Sequence, residues 1–271
     1  MSKLRYLTPF VFLLFLTFIL AGCSEPDVDK EKDVISMHGK IMNIEKLDAF
    51  IEKSTGTQRV VHYTIEGDPI FYVLQHKGNE IRVKYDNRQD KFGTPQVNKY
   101  TCNQLQKIDG EHLLYYKLTG CSGDRNEIEI LEVPYDVSQT DTFDFVLKYG
   151  VNLANQIDSV EGKLVKDLQN GETSTVSDFQ FTPAERQAIY KQMVLGNYME
   201  EKQLSTTCNK KPHEAYDLTV YINNRVLHYE WSECDKSTDG KEMSSLIHGI
   251  IDLVKEKDVY KQLPPVKAYY E

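Results

Sequence analysis

The sequence lacks the short motifs by which most hydrolases, metalloenzymes and nucleotide-binding proteins are recognised. It has no His-Glu-x-x-His, no Gly-x-Ser-x-Gly, no Cys-x-x-Cys and no glycine-rich phosphate loop. Its seven histidines are scattered, and no two of them stand at metal-ligand spacing on one predicted element. The sequence therefore predicts no catalytic residue, no resident metal and no cofactor, and we expect a protein that is not an enzyme.

Positive charge is also in short supply. Lys and Arg total 32 against 41 for Asp and Glu, which gives a formal net charge of −9. A chain of this sign has no electrostatic footprint for nucleic acid, and its net charge predicts repulsion from anionic lipid surfaces. We therefore expect no nucleic-acid partner.

Long apolar runs are absent except for one at the N-terminus. Lys3 and Arg5 precede the run Phe10–Ala21, whose twelve residues are all apolar except Thr17. That length is too short for a membrane-spanning helix and is typical of a signal-peptide core. Removing residues 1–22 would take away two positive charges and no negative one, so the mature chain would carry −11.

The run ends in Leu20-Ala21-Gly22-Cys23, which resembles the bacterial lipoprotein box. The resemblance implies cleavage before Cys23, diacylglycerol on its thiol and an amide-linked fatty acid such as palmitate. An ordinary secretory signal that happens to carry a cysteine is the alternative. The polar segment that follows predicts a solvated, flexible tether over residues 23–33. We expect a protein anchored to the outer face of the cell membrane.

Four cysteines remain after Cys23, an even number in a chain predicted to be exported. Three pairings are possible, and we favour the two local ones, Cys102 with Cys121 and Cys208 with Cys234. Each pair flanks β-type sequence within one predicted domain. Metal binding is the rival interpretation, although the cysteine spacings do not favour it.

The remaining pattern predicts an α+β protein of two small domains, each an antiparallel sheet packed on helices. In residues 34–135, a short helix capped by Asn43 precedes several strands, and Gly78-Asn79 predicts a two-residue hairpin turn. Residues 136–181 are predicted to be a connector, with a helix over Asp141–Ile157.

Residues 182–271 are predicted to form a helix-hairpin-helix domain. Thr182-Pro183-Ala184-Glu185 is a capping box, and Asn223-Asn224 separates two strands of alternating hydrophobicity. In the predicted register Tyr216 pairs with Trp231. A final helix over Lys241–Lys257 carries an apolar stripe.

Two stretches carry a family resemblance. The segments His38-Gly39-Lys40, Tyr63–Ile70 and Tyr85-Asp86-Asn87 resemble an uncharacterised domain of lipoproteins from Bacillus-type Gram-positive bacteria. The second half, with Phe181–Glu185, Tyr229-Glu230-Trp231 and Tyr260–Pro264, looks like another module of that group. These resemblances imply an envelope lipoprotein and bring no activity or ligand with them.

The best local cluster of titratable groups is His62 with Glu66 and Asp68 in the turn that follows. A histidine beside two carboxylates can hold a cation or transfer a proton. The alternative is that Glu66–Pro69 makes a tight turn while His62 packs in the sheet.

The first functional hypothesis is a non-enzymatic binding or sensory module of the cell envelope, whose partner is a peptide, a polymer or another envelope protein. The second is an envelope hydrolase or metal-dependent enzyme that uses His62, Glu66 and Asp68. The third is an inhibitor or chaperone-like partner of secreted proteins, which would bind by strand addition.

Overall fold

The computed structural model of the protein describes residues 27–123 and 125–270, and strands predominate in them. The strands are β1 (Val34–Met37), β2 (Lys40–Met42), β3 (Thr57–Tyr63), β4 (Pro69–Lys77), β5 (Glu80–Asp86), β6 (Val97–Cys102), β7 (Gln104–Asp109), β8 (Leu113–Thr119), β9 (Glu127–Pro134), β10 (Phe143–Gly150), β11 (Asn155–Asp158), β12 (Lys163–Asp167), β13 (Thr173–Val176), β14 (Ala215–Ile222) and β15 (Arg225–Ser232). The helices are α1 (Glu45–Glu52), α2 (Pro183–Leu195), α3 (Thr238–Glu256) and α4 (Asp258–Lys261), with 3-10 turns at Val137–Gln139 and Val151–Leu153.

The first domain is a sandwich of two sheets. Sheet 1 has the order β2-β1-β3-β4-β5-β6 and sheet 2 the order β7-β8-β9. All neighbouring strands are antiparallel except β1 and β3, which are parallel. The inner faces of both sheets and α1 share one apolar core. The expectation of a sheet packed on helices is therefore wrong for this domain, because sheet 2 takes the place that helices were predicted to fill.

The chain passes from sheet 1 to sheet 2 at Asn103. β6 ends at Cys102, and the backbone N–H of Asn103 bonds to the carbonyl of Thr119, which belongs to β8. The disulfide between Cys102 and Cys121 fixes this crossing. The hairpin prediction at Gly78-Asn79 is confirmed, since Tyr72 pairs with Tyr85 and Leu74 with Val83.

The second domain is one six-stranded sheet of order β13-β12-β11-β10-β14-β15 with α2 and α3 against one face. The predicted connector over residues 136–181 is wrong in its secondary structure. Asp141–Ile157 holds β10 and most of β11 rather than a helix, and β10 pairs along its whole length with β14. The second domain therefore starts near residue 136, and four of its six strands precede residue 182.

The local signals of the second domain are confirmed. Thr182 and Glu185 form the capping box of α2, and Tyr216 pairs with Trp231 across the β14–β15 hairpin. Asn223 adopts the left-handed conformation that the two-residue turn requires, with φ +50°. The apolar stripe of α3 is buried throughout. The second disulfide joins Cys208 to Cys234, so both local pairings favoured from the sequence are found.

The segment predicted to be a flexible tether packs on the first domain from residue 27 onward. The carboxylate of Asp33 is 4% exposed and receives a forked contact from the Arg59 guanidinium, with Nε to Oδ1 at 2.8 Å. Val28 packs against an apolar cluster on the outer face of sheet 1. The composition of this segment is polar, but its carboxylates and backbone find partners in the domain. The part of the predicted tether before residue 27 lies outside the described residues, as does the predicted signal peptide.

Helix α2 joins the two domains. Tyr190 and Val194 pack against both apolar cores. The side chain of Gln187 donates to the carbonyls of Glu111 and Tyr135 and accepts from the Val137 N–H. None of the helices in the two described ranges is long and apolar enough to cross a membrane.

Candidate functional site

The predicted cluster of His62, Glu66 and Asp68 is not brought together. His62 points into the sandwich, where its Nε2 lies 2.7 Å from the carbonyl oxygen of Ile130 and its ring meets Tyr72 edge-on. Burial lowers the pKa of His62. This side chain fastens sheet 1 to sheet 2 and faces away from the turn that carries the two carboxylates.

Glu66 and Asp68 take separate roles in that turn. Glu66 is exposed, whereas Asp68 is buried and accepts from the backbone N–H and the Nζ of Lys91, both at 3.0 Å. These contacts, the backbone one first, hold the pKa of Asp68 below its usual range. Strand alternation explains the separation, because it directs His62 to the inner face of sheet 1. Glu66 and Asp68 lie in the turn beyond the end of the strand and face neither side of the sheet.

The strand aromatics mostly belong to the cores. Tyr116, Tyr229 and Trp231 are buried, and Tyr221, on the open face of the second sheet, is 37% exposed. Burial raises the pKa of Tyr72 to about 12. An aromatic binding face is therefore not formed by these residues.

One metal-capable group occurs within the described residues. The ligand atoms of Asp217, His228 and Glu230 lie within 4.8 Å of one another on the open face of the β14–β15 hairpin. His228 Nε2 is 3.1 Å from Asp217 Oδ1 and 3.9 Å from Glu230 Oε1. A neutral imidazole with two carboxylates is a donor set that suits Zn²⁺. The group lies on a solvent-exposed sheet surface, and the same contacts are those of an ordinary histidine–carboxylate pair.

The two domains enclose a cleft of about 620 Å³. Its walls come from the docked N-terminal segment, the β2 region, the stretch after α2 and the start of α3. The residues that line it are Lys30, Glu31, Lys40, Met42, Asn43, Asn197, Glu200, Glu201, Lys202, Gln203, Ser237, Thr238, Asp239 and Glu242. This volume lies in the range of small-ligand sites, although the lining is more polar than is usual for them.

Two asparagines fix the walls of this cleft. Asn197 follows α2 with φ +50°, and its amide exchanges two hydrogen bonds with the backbone of Ile41, at 2.9 and 2.8 Å. Asn43 was predicted to cap α1, but Ile44 occupies that position. The amide of Asn43 instead donates to the carbonyls of Lys30 and Asp33, which holds the N-terminal segment in place.

The charges of the cleft are partly compensated. Lys202, whose side chain is 3% exposed, lies 2.9 Å from Glu242 and 3.7 Å from Asp239, and Lys40 pairs with Glu200 at 3.1 Å. The exposed carboxylates of Glu31 and Glu201 have no cation within ion-pairing distance among the described residues. Lys30 likewise has no ion pair among the described residues, so the three lysines and five carboxylates of the lining give the cleft a net charge of −2. The cleft therefore suits a partner with cationic or hydrogen-bond-donating groups.

Sequence reasoning missed this cleft. Its residues come from three segments far apart in the chain, and none of them forms a motif. The available signal was weak: Asn43 and Asn197 are asparagines at helix ends, positions where a left-handed conformation is common. The hydrogen bonds between Asn197 and Ile41, which are 156 positions apart, depend on how the domains pack.

Residues 31–117 match a family described as a domain of unknown function, DUF4362. The match covers about a third of the chain and ends within β8, so β9 and the whole second domain lie outside it. No curated protein and no solved structure shows significant similarity to the chain. The family match brings no activity, ligand or site residue.

Proposed function

We propose that this chain is an extracytoplasmic lipoprotein, held to the cell membrane through a lipid on Cys23, whose domains bind an envelope partner without catalysing a reaction. The lipoprotein-type sequence Leu20–Cys23 after an apolar run supports the anchor. The two disulfides support an oxidising compartment outside the cytoplasm. A Bacillus-type Gram-positive source is part of the same proposal.

The interdomain cleft is the feature on which the binding role depends. It is formed by both domains, and Asn197, Asn43 and the Lys40–Glu200 pair hold its walls in place without a ligand. A preformed site of this kind binds with little ordering cost. Because the lining carries a net charge of −2, with Glu31 and Glu201 among its carboxylates, the partner we propose is a lysine- or arginine-bearing segment of an envelope protein.

Site-specific photocrosslinking in the producing cell tests this role. A benzoylphenylalanine is placed at Gln203, inside the cleft, and in a second strain at Tyr221, on the open sheet face. We expect a discrete crosslinked product from position 203 and none from position 221. Products from position 221 alone would contradict the proposed site.

Charge reversal supplies the matched control. The double change Glu31→Lys and Glu201→Lys should abolish the product from position 203 because it repels a cationic partner. The double change Glu52→Lys and Glu132→Lys alters the net charge equally at exposed positions outside the cleft and should leave the product intact. Equal loss in both double variants would show that net charge, and not the cleft, controls the contact.

A further inference from the structure

Two large apolar side chains project from neighbouring loops at one end of sheet 1. Ile65, in the turn between β3 and β4, is 89% exposed, and Phe92, in the loop between β5 and β6, is 76% exposed. Single exposed apolar residues are common on protein surfaces. Two nearly bare ones on adjacent loop tips form a surface that water solvates poorly.

Hydrogen bonds within and between the two loops keep the side chains of Ile65 and Phe92 exposed at the loop tips. Asp68 in the first turn accepts two hydrogen bonds from Lys91 in the second loop, so the two loops are fastened to each other. Asp90 Oδ1 accepts from the backbone N–H groups of Phe92 and Gly93. These contacts build rigid turns and leave both apolar side chains outside them.

Several cationic side chains lie next to these loop tips, on the outer face of sheet 1 and in the loop between β5 and β6. Lys84 and Arg88 both contact the buried carboxylate of Asp86. Lys99 is directly opposite Lys84 on β6, is exposed, and has no ion pair among the described residues. Lys91 is 80% exposed. The carboxylates near the tips balance these four cations and are also four, so this end of an acidic protein carries no surplus of negative charge; they are Glu66, Asp68, Asp86 and Asp90.

The docked N-terminal segment leads to the same face. Val28 packs against Val61 and Phe71, and Phe71 lies two residues from the start of β4 at the loop end. The Arg59 guanidinium donates to the carbonyl of Asp27 at 2.6 Å. Only four peptide units separate Asp27 from Cys23, a reach of at most about 14 Å. A lipid on Cys23 would therefore keep this face close to the bilayer.

We propose that this end of the first domain docks on the membrane that holds Cys23. Ile65 and Phe92 enter the headgroup region, and Lys84, Lys91 and Lys99 lie among the lipid phosphates. At such an interface, apolar side chains enter the boundary between headgroups and acyl chains, and long cationic side chains beside them reach the phosphates. This proposal rests on the proposed anchor and adds a fixed orientation of the first domain on the bilayer.

The lipidated full chain, reconstituted in vesicles of phosphatidylcholine and phosphatidylglycerol, tests the orientation. An environment-sensitive fluorophore is attached at Ile65→Cys, at Phe92→Cys or, as control, at Tyr269→Cys, which is 86% exposed on the second domain beside the β12–β13 edge of its sheet. We expect bromine-labelled lipids to quench the fluorophore at positions 65 and 92 and to leave position 269 unaffected. Vesicle-bound protein with water-like signals at 65 and 92 would overturn the proposal.

A second measurement separates this proposal from the anchor. If Cys23 carries no lipid, the anchor fails, and the unlipidated chain must then bind phosphatidylglycerol vesicles through the tips alone. Replacing Ile65 and Phe92 by Ser should weaken that binding about tenfold, and Lys99→Glu about fivefold. Lys148→Glu, on the second domain, is the charge control and should have no effect. Equal binding by the unsubstituted chain and the serine double variant would overturn the docking surface.

Discussion

The buried amide of Gln187 offers a sharp test of how the two domains are joined. Its side chain is 7% exposed and makes three hydrogen bonds, to the carbonyls of Tyr135 and Glu111 and from the N–H of Val137. Gln187→Met keeps the length of the side chain and removes all three. An unsatisfied buried group costs about 1–3 kcal/mol.

The magnitude follows from which partners stay buried. Tyr135 is fully buried and Val137 half-buried, whereas Glu111 is exposed and its carbonyl can bond to water. With two groups left unsatisfied, we expect Gln187→Met to lower the free energy of unfolding by about 3 kcal/mol. The control on the same helix is Lys191→Met. It removes a partly exposed ion pair with Asp109 and should cost less than about 1 kcal/mol.

Urea unfolding followed by two probes measures both the cost and the coupling. The single Trp231 is buried in the second domain and reports on that domain, while far-ultraviolet circular dichroism reports on both. In the unsubstituted protein we expect the two transitions to coincide, and in Gln187→Met we expect them to separate. A loss below about 1 kcal/mol with coincident transitions would refute the reasoning that this amide joins the domains.

Three further predictions concern stability. Burial raises the pKa of Tyr72 to about 12, so the contribution of its neutral hydroxyl to the free energy of unfolding is complete below pH 10 and is lost as the pH rises toward 12. In urea titrations between pH 10 and 12, the free energy of unfolding of Tyr72→Phe should therefore fall by up to about 3 kcal/mol less than that of the unsubstituted protein. An equal fall in both proteins would contradict this prediction. Arg88, and then Lys84, holds the pKa of Asp86 far below its usual value, so Asp86→Asn should destabilise the protein by about 1–2 kcal/mol at pH 7. That deficit should shrink as the pH falls below about 4, where the unfolded carboxyl protonates, and a deficit independent of pH would exclude the ion pairs as its cause. Replacing Cys208 and Cys234 together by Ala opens a closed loop of 26 residues and should cost about 3 kcal/mol in calorimetry, whereas no change would indicate that the link does not form.

Patterns that depend on neighbouring residues could be predicted from the sequence. The hairpin at Asn223-Asn224, its register and the capping box at Thr182 are each specified within a few residues, and all were found. The disulfide pairs followed from the same local logic. The interactions that form these features join residues close in the chain, so the remainder of the fold does not override them.

Patterns that depend on distant partners could not be predicted. Residues 143–150 alternate apolar and polar side chains as a strand does, but their apolar residues also suit a helical stripe, and only pairing with β14 decides between the two. The segment from residue 27 was predicted to be a tether because its composition is polar. The carboxylate of Asp33 accepts from Arg59, and the backbone carbonyls of Lys30 and Asp33 accept from Asn43, contacts that no local pattern reveals.

The candidate site shows the same division. His62, Glu66 and Asp68 are close in sequence, but His62 faces the inside of the sandwich while the two carboxylates lie in the turn beyond the strand. The cleft combines residues near positions 30, 200 and 240, which meet because α2 packs against both cores. Proximity in the chain therefore does not identify the site, whereas tertiary packing brings the residues of the cleft together.

Mass spectrometry of the N-terminal peptide of the protein isolated from membranes tests the proposed anchor. We expect the mature chain to begin at Cys23 and this residue to carry a diacylglycerol group on its sulfur. A mature chain that begins at another residue, or at Cys23 with a free thiol, would contradict it.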